Sequence, residues 1–232
     1  MSKHGKNYRA SKELIGDKEF FTIDEAMSLL VKTSKTKFDE SCEVHMKLGI
    51  DPKQADQLVR GTLSMPHGTG KTVRVIAIVP DEKIKEAKTA GVIEAGNAEL
   101  IEKINGGWLD FDVVVATPSM MKEIGKIAKT LGQKGLMPNP KSGTVTDDIT
   151  SVIGEIIKGK IEYRNDKQGN LHNIFGKVSF GEDKLKDNLK DYLKTISEAK
   201  PTGVKGVYIE SITIGTTMGP GIHLETQDSN KQ

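Results

Sequence analysis

The sequence predicts an α+β domain split in two by an inserted α/β domain, and three observations carry that expectation. Both ends of the 232-residue chain hold stretches in which apolar and polar residues alternate, the mark of a sheet with one buried and one wet face. The middle holds two short, nearly continuous apolar runs, each followed by helical spacing, as in a mostly parallel sheet covered on both sides. Glycine stands at both crossings, near Pro66–Gly70 and near Gly159. Residues 1–66 and 160–232 would then form the split domain and 67–159 the insert, with a hinge between them. A chain of this length has room for two cores.

The elements follow in order. Thr22 with Glu25 reads as a capping box opening the helix "IDEAMSLLVKT". In "SCEVHMKLGI" Cys42, Val44, Met46, Leu48 and Ile50 fall on one face, and Glu43, His45 and Lys47 on the other. "QLVRGTLSM" alternates likewise, setting Val59, Leu63 and Met65 apart from Arg60, Thr62 and Ser64. The central strands are "VRVIAIV" (73–79), the short run "VIEAG" and "FDVVVAT" (111–117), interleaved with the helices "DEKIKEAKTAG" and "NAELIEKING". Pro118 and Ser119 open one further helix, "SMMKEIGKIAKTLG". A glycine- and proline-rich loop then leads to "DDITSVIGEIIKGK", where Asp147 and Asp148 suit a helix cap. Beyond Gly159, "KIEYRND" and "LHNIFGKVSF" flank Lys167-Gln168-Gly169-Asn170 and read as a hairpin. An amphipathic helix places Leu185, Leu189, Tyr192, Leu193 and Ile196 on one face, and "VYIESITIG" and "GIHLE" close the chain as strands.

Composition narrows the classes. Hydrophobic residues make up 36% and charged residues 28%, ordinary for a globular protein. No apolar run approaches the roughly 18 residues of a membrane helix, and the basic N-terminus lacks the apolar core of a secretory signal. A single cysteine, Cys42, excludes an internal disulfide and suits the cytoplasm. Net charge is +2, so any nucleic-acid surface must lie in the distribution of charge. Two stretches are locally basic: the start, with Lys3, Lys6, Arg9 and Lys12, and Lys122 to Lys141, with five lysines against Glu123. A solvated face explains either equally well.

Catalytic motifs fail on inspection. Gly70-Lys71-Thr72 looks like the end of a phosphate-binding loop. The first glycine of that motif would fall on Met65, however, and the lysine runs into a strand where a helix N-terminus is required. No dinucleotide fingerprint follows the central strands. The five histidines, His4, His45, His67, His172 and His223, show no metal-ligand spacing, so neither a metal nor another cofactor is expected. Cys42 lies on an apolar face and reads as core.

What remains is polar, mildly basic and spread over the split domain. Lys37 and Phe38 precede the first wet-faced strand, which carries His45 and Lys47. Arg164, Lys167, His172, Asn173 and Lys177 gather around the hairpin, and Ser211, Thr217, Met218 and Gly219 around the last strand-to-turn junction. Cations suit phosphates, while hydroxyls and glycine backbone suit sugars and close approach. Phe38 or Met218 could stack on an unpaired base. Taken singly, each residue also has an ordinary structural role as core, gap-filler or turn.

The blocks "KFDESCEVHMKLGIDPKQADQLVRGTLSMPHGTGK", "GLMPNPKSGTV", "EYRNDKQGNLHNIFGKVSF" and "TTMGPGIHLE" resemble bacterial members of the ribosomal protein L1 family, which form the mobile stalk of the large subunit. The likeness runs from "KHGKNYRA" to Glu225. It implies a split α+β domain with a Rossmann-like insert and no enzymatic activity. It implies a cytoplasmic, ribosome-associated protein of the large subunit that binds the rRNA stalk and assists release of deacylated tRNA from the exit site. Repression of its own operon mRNA is implied as well. The family's RNA contacts map to Lys37, Phe38, Ser41, His45, Lys47, Arg164, Lys167, His172, Ser211, Thr217, Met218 and Gly219.

Two rivals stay distinguishable: an NTP-dependent enzyme built on the central block, and a protein scaffold indifferent to RNA. Millimolar ATP or GTP with magnesium should leave the melting temperature unchanged, since a nucleotide bound only by the folded state would raise it. A saturable rise would restore the enzyme reading.

Overall fold

The computed structural model describes residues 5–226. Lys3, His4 and the tail 227–232 lie outside them, including the start of the family-like segment "KHGKNYRA". The chain divides into two compact units, Met1–Gly70 with Glu162–Gln232, and Lys71–Ile161. The divisions fall a few residues beyond the crossings read from the sequence, at 66/67 and 159/160.

The discontinuous unit begins with α1 (Lys6–Ile15) and α2 (Ile23–Thr33), followed by β1 (Ser41–Leu48) and β2 (Arg60–Ser64). The inserted unit contains β3 (Val75–Ile78), α3 (Ile84–Thr89), β4 (Glu94–Gly96), α4 (Ala98–Asn105) and β5 (Val113–Ala116). It continues with α5 (Met121–Ile124), α6 (Ala128–Lys134) and α7 (Ile149–Ile157). Then come β6 (Lys160–Arg164), β7 (Asn170–Lys177), α8 (Glu182–Glu198), β8 (Ile209–Thr216) and β9 (Ile222–Leu224).

In the inserted unit β3 pairs in parallel with β4 on one side and β5 on the other. Alternate strand residues serve two cores. Ile76, Ile78, Val114 and Ala116 join Leu100, Ile101, Ile104, Ile124, Ile127 and Leu131. Val75, Ala77, Val79 and Val115 join Ala87, Ile149, Ile153 and Ile156 on the opposite face. Two-sided cover is why these strands read as unbroken apolar runs. Asp148 caps α7, its carboxylate accepting from the Ser151 amide. The helix expected from Ser119 to Gly132 is instead segmented, with 3-10 turns at Pro118–Met120 and Gly125–Ile127 around α5. Gly125 stands at the second turn, where it weakens helix continuity.

The phosphate-loop look-alike is used structurally. Gly70 adopts φ +72°, and a Cβ there would stand 2.7 Å from the Lys177 side chain and 3.0 Å from the Phe180 ring. Lys71 donates to Asp112 at 2.8 Å. That bond outweighs burial and, with help from Arg74, holds the Asp112 carboxyl down at about 2. The segment leads into β3 and not into a helix N-terminus, so the phosphate cradle is not built.

In the discontinuous unit four strands form one sheet in the order β7-β1-β8-β9. The β1 ladders with β7 and β8 are both antiparallel, as is β8 with β9. Cys42, Val44, Met46 and Leu48 are buried on one face together with Leu171, Ile212, Ile214 and Ile222. Helices α2 and α8 pack on this side, α2 against β8 and β9 and α8 against β7. The α2 capping box is present as read. Burial pushes the Cys42 thiol up to about 12, which leaves it inert as a nucleophile.

Two differences from the sequence reading matter. Strands β6 and β7 are not a hairpin: β6 pairs with β2 in a separate two-stranded sheet, and β7 joins β1. The redirection happens at Asn165, whose amide donates to the Val59 carbonyl and whose side chain accepts from the Val59 amide. Helix α1 is an addition; it packs on α2, and its buried Ser11 hydroxyl donates to the Thr33 carbonyl at 2.9 Å.

Asn188 was hidden within the apolar face of α8. It is 0% exposed, accepts from the His67 amide, and donates to the carbonyls of Gly68 and Phe175. It thereby ties the segment leaving β2 to β7. Asn188→Ala should cost about 3 kcal/mol in urea unfolding, because it strands buried backbone groups as well as removing side-chain contacts. A loss under about 1 kcal/mol would show that water replaces those bonds.

Candidate nucleic-acid interface

The open face of the four-stranded sheet carries most of the expected site. Because β1 alternates, Ser41, Glu43, His45 and Lys47 emerge opposite the core side. In register beside them lie Lys177, Ile174, His172 and Asn170 on β7, and Gly215, Thr213 and Ser211 on β8. One cross-strand row therefore reads His172, His45, Thr213, His223, its last two members joined by a 2.9 Å hydrogen bond.

At one end of this face the segment before β1 meets the turn after β8. The Thr217 amide donates to the Ser41 carbonyl at 3.1 Å, and the Ser41 amide donates to the Thr217 hydroxyl at 3.1 Å. Beneath the turn lies Glu40, a buried carboxylate that accepts from Ser34 at 3.0 Å and from the Met218 amide at 3.2 Å. Burial alone would raise its pKa, but the surrounding hydroxyl and amide donors outweigh that and keep it lowered. Gly219 is in a tight place: a Cβ would stand 2.4 Å from the Thr216 hydroxyl oxygen. The result is a braced turn from which Met218 projects, 62% exposed, with Phe38, 56% exposed, on the preceding loop. Asp39 fixes that loop by accepting from the Ser179 amide and hydroxyl at 3.0 and 2.7 Å. Lys177 donates to the Asp39 carbonyl and to the Ser41 hydroxyl. Lys37 is exposed on the same loop.

At the other end Lys47 donates to the Gln168 carbonyl, fastening the strand to the 166–170 turn. Asp166 organises the turn. One of its oxygens accepts from the amides of Gln168 and Asn170, both at 2.8 Å, and the other from the Asn170 side chain. The Asn170 amide bond is the leading cause that holds the Asp166 carboxyl at about 2; burial opposes it, and the Asn170 side chain and the Gln168 amide add to the lowering. Lys167 is exposed on the turn, and Ser211 is exposed on β8. Arg164 is exposed but lies on β6, in the other sheet. Eleven of the twelve expected residues thus lie on or at the ends of the four-stranded sheet, and Arg164 does not.

The face is not a uniformly basic strip, since Glu43, Asp39 and Asp166 alternate with the cations. Burial lowers the His45 pKa, His172 lowers it further, and Glu43 opposes both. Large apolar side chains, Met218, Phe38 and Ile174 (40% exposed), rise among the polar groups. The face therefore offers hydroxyl and amide hydrogen-bonding groups and apolar side chains beside its charges. Glu40 and Asn188 escape a sequence reading because each acts on main-chain groups far away in the chain, and Asp166 acts on the amides of its own turn. Asp166 alone leaves a local signal, an acid before a glycine-containing turn.

These features define a protein that presents a polar sheet face with exposed apolar side chains at its hydrogen-bonded turns. The chain belongs to the ribosomal protein L1p/L10e family, whose model matches residues 30–220. It is 51% identical to the large ribosomal subunit protein uL1 of Thermus thermophilus over 225 residues, covering 97% of this chain and 98% of that protein. Identity to the protein of the same name from Fervidobacterium nodosum is 51% over 226 residues, covering 97% and 96%, and to that from Kosmotoga olearia 49% over 227 residues, covering 98% of each. The family is one of ribosomal proteins, not of enzymes. Among the described residues no helix is long and apolar enough to cross a membrane.

The 166–170 turn makes a pH prediction. A carboxyl lowered in the folded state stabilises above its unfolded pKa of about 4, and that stabilisation disappears as pH falls toward about 2. Amide exchange protection at Gln168 and Asn170 should therefore persist at pH 4 and be lost in Asp166→Ala, with little change in melting temperature. Unaltered protection in the variant would show that the backbone holds the turn without the carboxylate.

Proposed function

We propose that this chain is a structural protein of the large ribosomal subunit whose discontinuous unit docks on the rRNA stalk. The twelve residues from Lys37 to Gly219 named above supply the contacts. The observation that supports this most is the braced turn at Thr217–Gly219: two exposed apolar side chains, Phe38 and Met218, stand on backbone already fixed by Ser41 and Glu40. A surface organised before binding loses little entropy on docking. Ribose hydroxyls and phosphates would take the hydrogen-bonding groups around Ser41, Thr217 and Gly219, while an unstacked base or ribose packs on Met218 or Phe38.

In the assembled particle the same protein would assist departure of deacylated tRNA from the exit site. It would also repress its own operon by binding a similar RNA fold in the messenger. Both follow from the family likeness and share the discontinuous unit as their RNA-binding element. The protein would accordingly work in the cytoplasm, on the ribosome. An isolated stalk rRNA fragment and the operon leader should then compete for one surface.

Binding to the stalk fragment at physiological salt, with a same-length duplex as competitor, tests the reading. The duplex should fail to displace the fragment. Met218→Asp should weaken binding about 100-fold, because a carboxylate would be buried against RNA with no partner. Lys167→Ala should weaken it only a few-fold and lower the salt slope by about 1. Equal losses for the two variants would move the contact away from the Thr217–Gly219 turn, and full displacement by the duplex would reduce the surface to a general polyanion binder.

A further inference from the structure

Two histidines that show no metal-ligand spacing in the sequence meet in the fold. His45 and His172 are cross-strand partners on β1 and β7, 127 residues apart, with their Nδ1 atoms 2.9 Å apart. Their rings are tilted by 59° with centroids 5.1 Å apart. Behind each ring stands a carboxylate: Glu43 lies 3.7 Å from His45 Nε2, and Asp166 lies 3.7 Å from His172 Nε2.

The 2.9 Å contact is a hydrogen bond when one ring carries its proton on Nδ1 and donates to the other. When both rings carry their protons on Nε2, the side on which each carboxylate stands, two Nδ1 lone pairs converge on one gap and can take a metal cation between them. Paired imidazoles suit zinc, nickel and copper, and a carboxylate behind the far nitrogen is the usual means of orienting a metal-bound histidine. Tetrahedral zinc with bonds of about 2.0–2.1 Å sets its nitrogens about 3.3 Å apart, so the gap must widen by only about 0.4 Å. The side chains are 42% and 54% exposed and have room to do so.

We propose that His45 and His172 form a two-imidazole site for a divalent transition metal ion of the Zn²⁺ type, with Glu43 and Asp166 as positioning carboxylates. Water fills the remaining coordination positions on the open side of the sheet. Among the described residues no group of three or more His, Cys, Asp or Glu is placed to hold a metal, so the site is open and its affinity moderate. His223 adds no third ligand, because Thr213 stands between it and His45 in the cross-strand row and binds its Nδ1 at 2.9 Å. The site needs only the sheet and does not depend on the RNA-binding reading.

The test is a Zn²⁺ titration of the intact, tag-free protein by calorimetry, with imidazole ¹⁵N shifts read in parallel. One ion should bind per chain, moving the Nδ1 resonances of His45 and His172 while their Nε2 atoms stay protonated. His45→Gln and His172→Gln should each weaken binding at least about tenfold, and Glu43→Gln about tenfold through ring orientation alone. Glu43→Gln should also raise the fraction of His45 carrying its proton on Nδ1, a change that a purely structural role would not produce. Unchanged affinity in both histidine variants, coordination through Nε2, or no binding at all would each overturn the site, the last leaving a pair that merely shares a proton. Should a variant fail to fold, the ring-nitrogen shifts of the unaltered protein decide the matter alone.

Discussion

Strand β1 sits in the middle of its sheet, between β7 and β8, and its register on both neighbours is the constraint on which the rest depends. Side chains alternate along a strand with a period of two, so slipping β1 by one residue would turn Cys42, Val44, Met46 and Leu48 into solvent. Four buried side chains therefore hold the register, and by doing so they set Ser41, Glu43, His45 and Lys47 on the open face. The wet face is specified by the dry one. Its partners on β7 and β8 arrive in fixed order for the same reason, which is how residues from three distant parts of the chain come to share one surface.

Around this sheet the ends of the interface are held by polar groups acting on backbone. Glu40 holds the Met218 amide from below, Asp166 gathers the amides of its own turn, and Asn188 binds main-chain groups of β7 and of the segment after β2. Glu40 and Asn188 find donors and acceptors where water is scarce and would be costly to strand, whereas Asp166 works at the surface. Phe38 and Met218 stay exposed on segments whose backbone is tied down by Asp39, Glu40 and Ser41.

Much of the architecture was legible before the structure. The capping box at Thr22, the alternation of β1 and the doubly covered central strands rest on local patterns that tertiary context seldom overrides. Two features were not. The strands flanking Lys167–Asn170 looked like a hairpin because proximity in sequence favours pairing, yet Asn165 sends β6 to β2. The helix beginning at Pro118 looked continuous, but Gly125 and its 3-10 turns segment it.

By itself the sequence determined the wet and dry faces of β1, the parallel character of the insert, and the family, through long blocks such as "GLMPNPKSGTV". The tertiary structure alone decided which of the wet residues meet. It set Arg164 apart on a second sheet, placed Glu40 under the Met218 turn, and brought His45 against His172. The reason is physical: hydrophobic periodicity is a property of neighbours along the chain, whereas cross-strand pairing brings together groups whose separation in sequence carries no signal.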